Sequence, residues 1–407
     1  MVGLIACGAS TDSVSGDSAR RAHPQNDNFH AMRGVVSQYR GEPTHQGIAP
    51  PGAWIASKVP TLVWSSEVFG IGTYDASKSS PVVDRERIYI GQDDGVLRAL
   101  DRETGRTLWA FKTLRHYEER SKTDDQFTGI HGTPAFDDER VYVGDYSGVV
   151  YAVDRERGTF IWRNQLGGSI GSSPVLAEGY LWIAVEFPEP NGRIYKLEPK
   201  TGTVKGMSPY LGHHVHGTVS LSATKDRLYV GNNRGTFYLL ERSTLAIKSR
   251  TLLGGPIKST AALDEDSVYV TSWDGALHAF AQSSLEPLYV VRTGAQSMSS
   301  PAWQNESVCF GSHDGILRCV ARKTGATLWQ SEPLGVIQSS PTMVGANVVV
   351  GSRDGHLVAF RIADGQKLWS YDLKSPITSV PVVVDGSIFV NDDSGTVHRL
   401  DASFEEL

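Results

Sequence analysis

Short apolar runs and polar punctuation follow one another along this chain in a fixed order. The order reads Ser79-Ser80-Pro81, the alternating run Ile88-Tyr89-Ile90-Gly91 and the turn Gln92-Asp93-Asp94-Gly95. A second run, Val96-Leu97-Arg98-Ala99-Leu100-Asp101, then leads to Thr104-Gly105 and Leu108-Trp109. The same order returns as Thr133-Pro134, Val141-Tyr142-Val143-Gly144, Ser147-Gly148, Asp154 and Trp162. Further copies surround Pro174 (with Tyr195 and Gly202), Val219 (with Gly231 and Gly235) and Ala261 (with Gly275). The last three begin at Pro301, Pro341 and Pro381, with turn glycines Gly315, Gly355 and Gly395, and recur every 40 residues. A period of this length defines a repeat architecture.

Each copy predicts four short strands. Runs rich in Val, Ile, Tyr and Leu suit a pleated, half-buried surface. The middle hairpin turns on x-Asp-Gly or x-Ser-Gly, where glycine supplies a positive φ. Four-stranded units of about 40 residues are the mark of β-propeller blades, which stack around an axis because none can bury both faces alone. The eighth copy stops at Asp401, before its fourth strand, and Thr61-Leu62-Val63-Trp64 has the pattern of that missing strand. The expected fold is therefore all-β: an eight-bladed propeller, residues 58–407, closed by the N-terminal strand pairing with the last blade.

Composition narrows the class. Hydrophobic residues make up 40% and charged residues 21% of the 407-residue chain, which suits a packed core. The net charge of -6 lacks the basic excess of a polyanion binder, so nucleic acid is not an expected partner. No apolar run reaches the roughly 18 residues of a membrane-spanning helix. The three cysteines, Cys7, Cys309 and Cys319, are too few for a disulfide framework and lack zinc-site spacing. Cys309 and Cys319 flank one hairpin turn, and buried free thiols are the expectation there.

The recurring Ser-Ser-Pro, x-Asp-Gly and Thr-Gly-x-x-x-Trp elements resemble the pyrroloquinoline-quinone (PQQ) type repeat over roughly residues 60–401. The stretch Tyr39-Arg40-Gly41-Glu42-Pro43-Thr44-His45-Gln46-Gly47 resembles the lead-in of many bacterial members. The resemblance implies that Trp64, Trp109, Trp162, Trp329 and Trp369 wedge between blades, with Gly206, Ser249 and Tyr289 departing from the pattern. The family includes periplasmic quinoprotein dehydrogenases, generally larger. It also includes a non-enzymatic propeller lipoprotein of the outer-membrane β-barrel assembly machine, which this chain matches in size. The dehydrogenases sandwich PQQ with adjacent cysteines beside a calcium ion. No Cys-Cys pair occurs here, so no PQQ and no other cofactor is expected.

Leu4-Ile5-Ala6-Cys7-Gly8 fits a lipobox that would lipidate Cys7, although only six residues precede it and none is basic. A start codon further upstream would reconcile the two; an accidental cysteine is the alternative. Residues 1–57 then read as the remnant of a lipoprotein leader and a flexible tether. This places the chain on the periplasmic or cell-surface face of a bacterial membrane, as an outer-membrane lipoprotein held only by its lipid.

Candidate chemistry gathers at one face. The residue preceding each Ser-Ser-Pro position lies at the channel mouth, and reads Lys78, His131, Gly171, His216, Lys258, Met298, Gln338 and Thr378 around the ring. Lys78, His131, His216, Lys258 and Gln338 are the candidate ligand-binding residues. His131 or His216 beside Lys78 or Lys258 is the candidate general acid–base pair. The insertions fall on the same face: Arg115 to Thr128, with His116 and Tyr117; Glu186 to Gly192; and Pro209 to His216. In an extended chain His214 and His216 project to one side. With His131 they are the candidate metal ligands, completed by Glu186 or Glu189. Tyr146, Trp273, His313 and Arg353 at the turn tips form a second candidate surface, with a hot-spot composition. The leading expectation is a monomeric, non-catalytic scaffold presenting loops and blade edges to envelope proteins. The alternative is an enzyme or small-ligand binder working at the mouth over blades 2–4.

Overall fold

The structure, a computed structural model, describes residues 35–69, 79–113 and 129–403. Among these residues 32 strands form eight four-stranded antiparallel sheets. They are the blades of a propeller: 82–112, 135–165, 175–207, 220–252, 262–292, 302–330, 342–372 and 382–401. The last contributes three strands, and Thr61–Ser65 pairs with Val397–Asp401 as the fourth. The N-terminal strand thus closes the ring, as its sequence pattern predicted.

Burial explains the two kinds of apolar pattern. The second strand of each blade is covered on both faces by neighbouring blades, so Ile88, Tyr89 and Ile90 are all fully buried. The outermost strand faces solvent, and in Thr107–Lys112 only Trp109 is buried.

The innermost strands have an unpaired edge toward the channel, and side-chain hydroxyls satisfy it. Ser80 N donates to Thr133 Oγ1 (2.9 Å), Thr133 N to Ser173 Oγ (2.9 Å) and Ser173 N to Thr218 Oγ1 (3.1 Å). The belt continues through Thr218 N to Thr260 Oγ1 (3.2 Å), Thr260 N to Ser300 Oγ (2.9 Å) and Ser300 N to Ser340 Oγ (2.9 Å). Val380 N closes it on Ser80 Oγ (2.9 Å). Val380 has no hydroxyl to offer blade 7, and there Ser339 Oγ bonds Ser379 O instead (2.7 Å).

The flexible tether expected up to residue 57 is corrected over 35–57. This segment is a strap that crosses one end of the channel and bonds to the inner strands of successive blades. Val36 pairs with Val83; Ser37 O accepts from Phe136 N and Gln38 Oε1 from Leu176 N. Pro43 O, Thr44 O, Gln46 O and Gly47 O accept from Leu221, Leu263, Trp303 and Met343. Ala56 N finally reaches Ala402 O in blade 8. Arg40 is buried beneath the strap with Nη2 donating to Pro301 O at 2.6 Å, and burial lowers its pKa to about 10. Gly47 (φ +74°) lies against that guanidinium: a Cβ there would be 2.0 Å from Arg40 Nη2. His45 is fully buried between Tyr39 O and Val219 O, each 3.0 Å from a ring nitrogen. Burial lowers its pKa to about 4, outweighing the two carbonyls.

The tryptophans of the outer strands meet the turn of the next blade. Nε1 of Trp64, Trp109, Trp162 and Trp329 donates to Arg102, Arg155, Pro199 and Ile362 carbonyls, and Trp369 to Ala56 O. Each of the first four rings covers a turn glycine: Gly105, Gly158, Gly202 and Gly365. The departures follow a volume rule. Tyr289 takes the tryptophan role, donating to Arg322 O over Gly325. Where the wedge shrinks to Gly206 or Ser249, the facing turn carries Leu245 or Leu285. Both leucines are buried at positive φ (61° and 63°).

One further expectation is corrected. Cys309 and Cys319 are directly opposed on adjacent strands, 4.1 Å apart at Cα, and are joined in a disulfide. A hairpin pair in register places the two side chains opposite one another on one face, close enough to bond.

Candidate functional site

Each innermost strand runs away from the end that carries the blade connections and middle hairpins. The strap therefore covers the opposite end, and the candidate residues surround the mouth away from it. Lys78 and the loop with His116 and Tyr117 lie outside the described residues, as does Cys7.

The mouth over blades 2–4 is built on rigid backbone. Glu186 belongs to the eight-residue strand Tyr180–Phe187, extended by the insertion in blade 3. Its amide donates to Ser169 O and its carbonyl accepts from Gly168 and Ser169, so the carboxylate is held from behind. The connection into blade 4 is pinned by Leu211 and Val215, both fully buried. Leu211 O accepts from Asn232 Nδ2 and Tyr238 Oη, each at 2.7 Å. With Val215 turned into the core, His214 and His216 come together at Glu186. His216 Nδ1 is 2.8 Å from Glu186 Oε1 and His214 Nδ1 is 3.7 Å from Glu186 Oε2. Neighbouring His213 has a lowered pKa, from burial first and His214 second.

His131 lies beside this cluster, not within it. Its Nε2 is 3.3 Å from Asp93 Oδ1, and its ring packs on Tyr146 with centroids 4.3 Å apart. Gly171 joins the two groups: a Cβ there would be 3.3 Å from both Tyr146 Cε2 and His216 Nδ1. The metal-ligating set expected from sequence is thus revised. His214 and His216 meet Glu186, while His131 pairs with Asp93 and Glu189 is exposed.

Lys258 is one blade further on, with Nζ 4.4 Å from the centre of the Trp273 ring. Gln338 belongs to a different network across the mouth. Its Nε2 is 3.3 Å from His313 Nε2 and its Oε1 accepts from Arg353 at 3.1 Å. Thr378 Oγ1 donates to Asp393, which Arg353 approaches at 3.9 Å. Burial and then Arg353 lower the His313 pKa. The turn-tip residues Tyr146, Trp273, His313 and Arg353 therefore fold onto the mouth, half-buried, instead of forming an exposed ring. Asp93 was hidden in the sequence because the turn Gln92-Asp93-Asp94-Gly95 accounts for it without any partner.

Eight four-stranded blades with these motifs define a propeller of the PQQ-type repeat class, with one end of its channel strapped and the other a polar mouth. Within that class, the sequence pattern of outer membrane protein assembly factor BamB matches residues 61–128, 93–205 and 190–403. The chain belongs to that family. BamB of Legionella pneumophila (strain Paris) is 25% identical over 181 residues, 44% of each chain. BamB of Yersinia pestis is 27% identical over 147 residues, 36% of each. The chain thus aligns with less than half the length of these relatives. Among solved structures, BamB from Moraxella catarrhalis shares the fold with a TM-score of 0.65 at 18% identity, over 86% of this chain and 99% of that one. The quinohemoprotein alcohol dehydrogenase of Comamonas testosteroni shares it at 0.75 and 14%, over 93% and 82%.

Proposed function

We propose that this chain is a non-catalytic scaffold in the bacterial envelope, on the periplasmic side of the outer membrane. It would present its blades to proteins that assemble the outer membrane and be anchored through lipidated Cys7. The match to the assembly-factor family across 61–403 carries this reading. The blade geometry supports it. Among the described residues every outermost strand is paired on one side only, and those strands expose Leu108, Phe160, Met207, Leu252, Leu288 and Leu328. Such an edge accepts an added strand, with main-chain bonds supplying affinity and apolar contacts specificity. The closed ring, its hydroxyl belt and its strap keep those edges fixed.

The test is photo-crosslinking in the native host from positions 160 and 288, together with deletion of the gene. Crosslinks to an outer-membrane assembly protein and reduced outer-membrane β-barrel proteins are expected. No crosslink and unchanged β-barrel levels would refute the scaffold. The gathering of His131, His216 and Glu186 at the mouth favours a second reading, a small-ligand or enzymatic site. The pair of changes His131→Ala and His216→Ala separates the two, because a scaffold keeps its crosslinks.

A further inference from the structure

We propose that Glu186, His214 and His216 bind one divalent transition-metal ion, best matched by zinc, at the mouth of the channel. One ligand atom from each residue lies within 4.8 Å of the others. His216 Nδ1 is 2.8 Å from Oε1 and His214 Nδ1 is 3.7 Å from Oε2 of the one Glu186 carboxylate. Ligands about 2.0–2.2 Å from a tetrahedral zinc stand about 3.3 Å from one another, a spacing that small side-chain rotations reach from a set already within 4.8 Å.

The hydrogen bonding around the cluster calls for a cation. His214 Nε2 is 3.1 Å from Phe187 O, a carbonyl that can only accept, so Nε2 carries the proton. With the proton on Nε2, Nδ1 is the ring nitrogen that faces the Glu186 carboxylate and is placed to ligate. Holding a ligand histidine by its other nitrogen against a main-chain carbonyl is the usual outer support of a metal site. Glu186 Oε1 is buried, and although close to His216 Nδ1 it lacks a hydrogen bond. Its side chain is only 6% exposed, and a buried carboxylate oxygen without a hydrogen bond is costly unless a cation completes it.

The donor set selects the metal. Two imidazole nitrogens and one carboxylate suit zinc, whereas calcium and magnesium take oxygen ligands. Three protein ligands leave the fourth tetrahedral position to water or an incoming group, the arrangement of an open zinc site. Gly171 keeps that space clear, because a side chain there would meet His216 and Glu186. The site goes beyond the scaffold role and its failure would leave that reading untouched.

The experiment uses the full chain stripped of metal by chelator dialysis, titrated calorimetrically with zinc and spectroscopically with cobalt(II). One zinc per chain and the intense visible bands of four-coordinate cobalt are expected. His214→Ala, His216→Ala and Glu186→Gln should each weaken zinc by more than the roughly 10–100-fold that loss of an outer-shell partner costs. His356→Ala, on blade 7, should change nothing. His216→Cys supplies a different zinc ligand and should restore binding in a folded chain, which separates lost coordination from lost structure. Absence of stoichiometric binding, a six-coordinate cobalt spectrum, or equal affinity in the wild type and the His214→Ala and His216→Ala variants would overturn the proposal.

Discussion

Exchanging one wedge for another within this chain tests whether blade contacts obey a volume rule. Trp162 fills the space over Gly202 in the next blade, and Ser249 faces Leu285 in the equivalent place. The perturbation is Trp162→Ser combined with Gly202→Leu, which copies the second solution onto the first. Trp162 is 8% exposed, so truncating it alone should cost about 3–5 kcal/mol, in the range of large-to-small core changes. Gly202→Leu alone overpacks, because its Cβ would stand 2.5 Å from Trp162 Cε3, and should cost about 1–3 kcal/mol. In the double variant the leucine enters the space the ring has left. Burial of the leucine returns about 1.5–3 kcal/mol. The positive φ at Gly202 costs a leucine about 1–2 kcal/mol in either background and so drops out of the coupling, and Leu245 and Leu285 show that the turn tolerates it. The serine can reach a turn carbonyl as Ser249 Oγ reaches Ser284 O at 2.9 Å. The double-mutant cycle should therefore show a favourable coupling of about 2–3 kcal/mol, at the upper end for residues in contact. Urea unfolding followed by far-ultraviolet circular dichroism measures it. A double variant less stable than Trp162→Ser alone would refute the reasoning.

Two further outcomes follow from buried groups. In chain produced in a host compartment where Cys7 is not lipidated, alkylation of the denatured protein without reductant should label one cysteine of the three, Cys7, and all three after reduction, because Cys309 and Cys319 are bonded. Labelling of three before reduction would return them to free thiols. His45, with its pKa lowered to about 4 in the fold, stays neutral there while the unfolded chain takes up a proton below about 6.5. The unfolded state then binds more protons, so stability falls as pH drops through that window and is unaffected above it. By pH 4.5 the loss should be about 2–3 kcal/mol. Comparing urea stabilities of the wild type and His45→Gln at pH 7 and pH 4.5 isolates this contribution, and an equal difference at both would exclude it.

The blades were legible because their information is local. Alternation, turn glycines and a period of 40 residues specify a unit, and repetition specifies the ring. Gly206, Ser249 and Tyr289 were visible as departures. Their compensation was not, because Leu245 and Leu285 lie one blade away and look like ordinary apolar residues. The His-x-His pair at 214 and 216 announced itself, and Glu186 was within reach as part of an insertion. The partner of His131 did not, since Asp93 needs no partner to explain its place in a turn. The disulfide was open to inference only once the register of its hairpin was known.

The strap was the least legible part, for a physical reason that also bears on function. It is held largely by main-chain groups, which leave no pattern of side chains for a sequence to display. Its side-chain marks are few and lie in and beside the Tyr39–Gly47 lead-in: Gln38 and His45 reach main-chain groups, Arg40 is buried against a carbonyl, and Gly47 lacks the Cβ that would strike it. Innermost strands present unpaired amides and carbonyls to the channel, and two devices satisfy them: the hydroxyl belt within the ring and the strap at one end. A strand edge so occupied cannot receive a partner. Among the described residues, the surfaces left for recognition are then the outermost strands, where pairing stops, and the mouth, where Glu186, His214 and His216 lie away from the strap. The proposed partner binding and the proposed metal binding would then occupy separate parts of one closed ring, so that changes at the mouth should leave the blade edges in place.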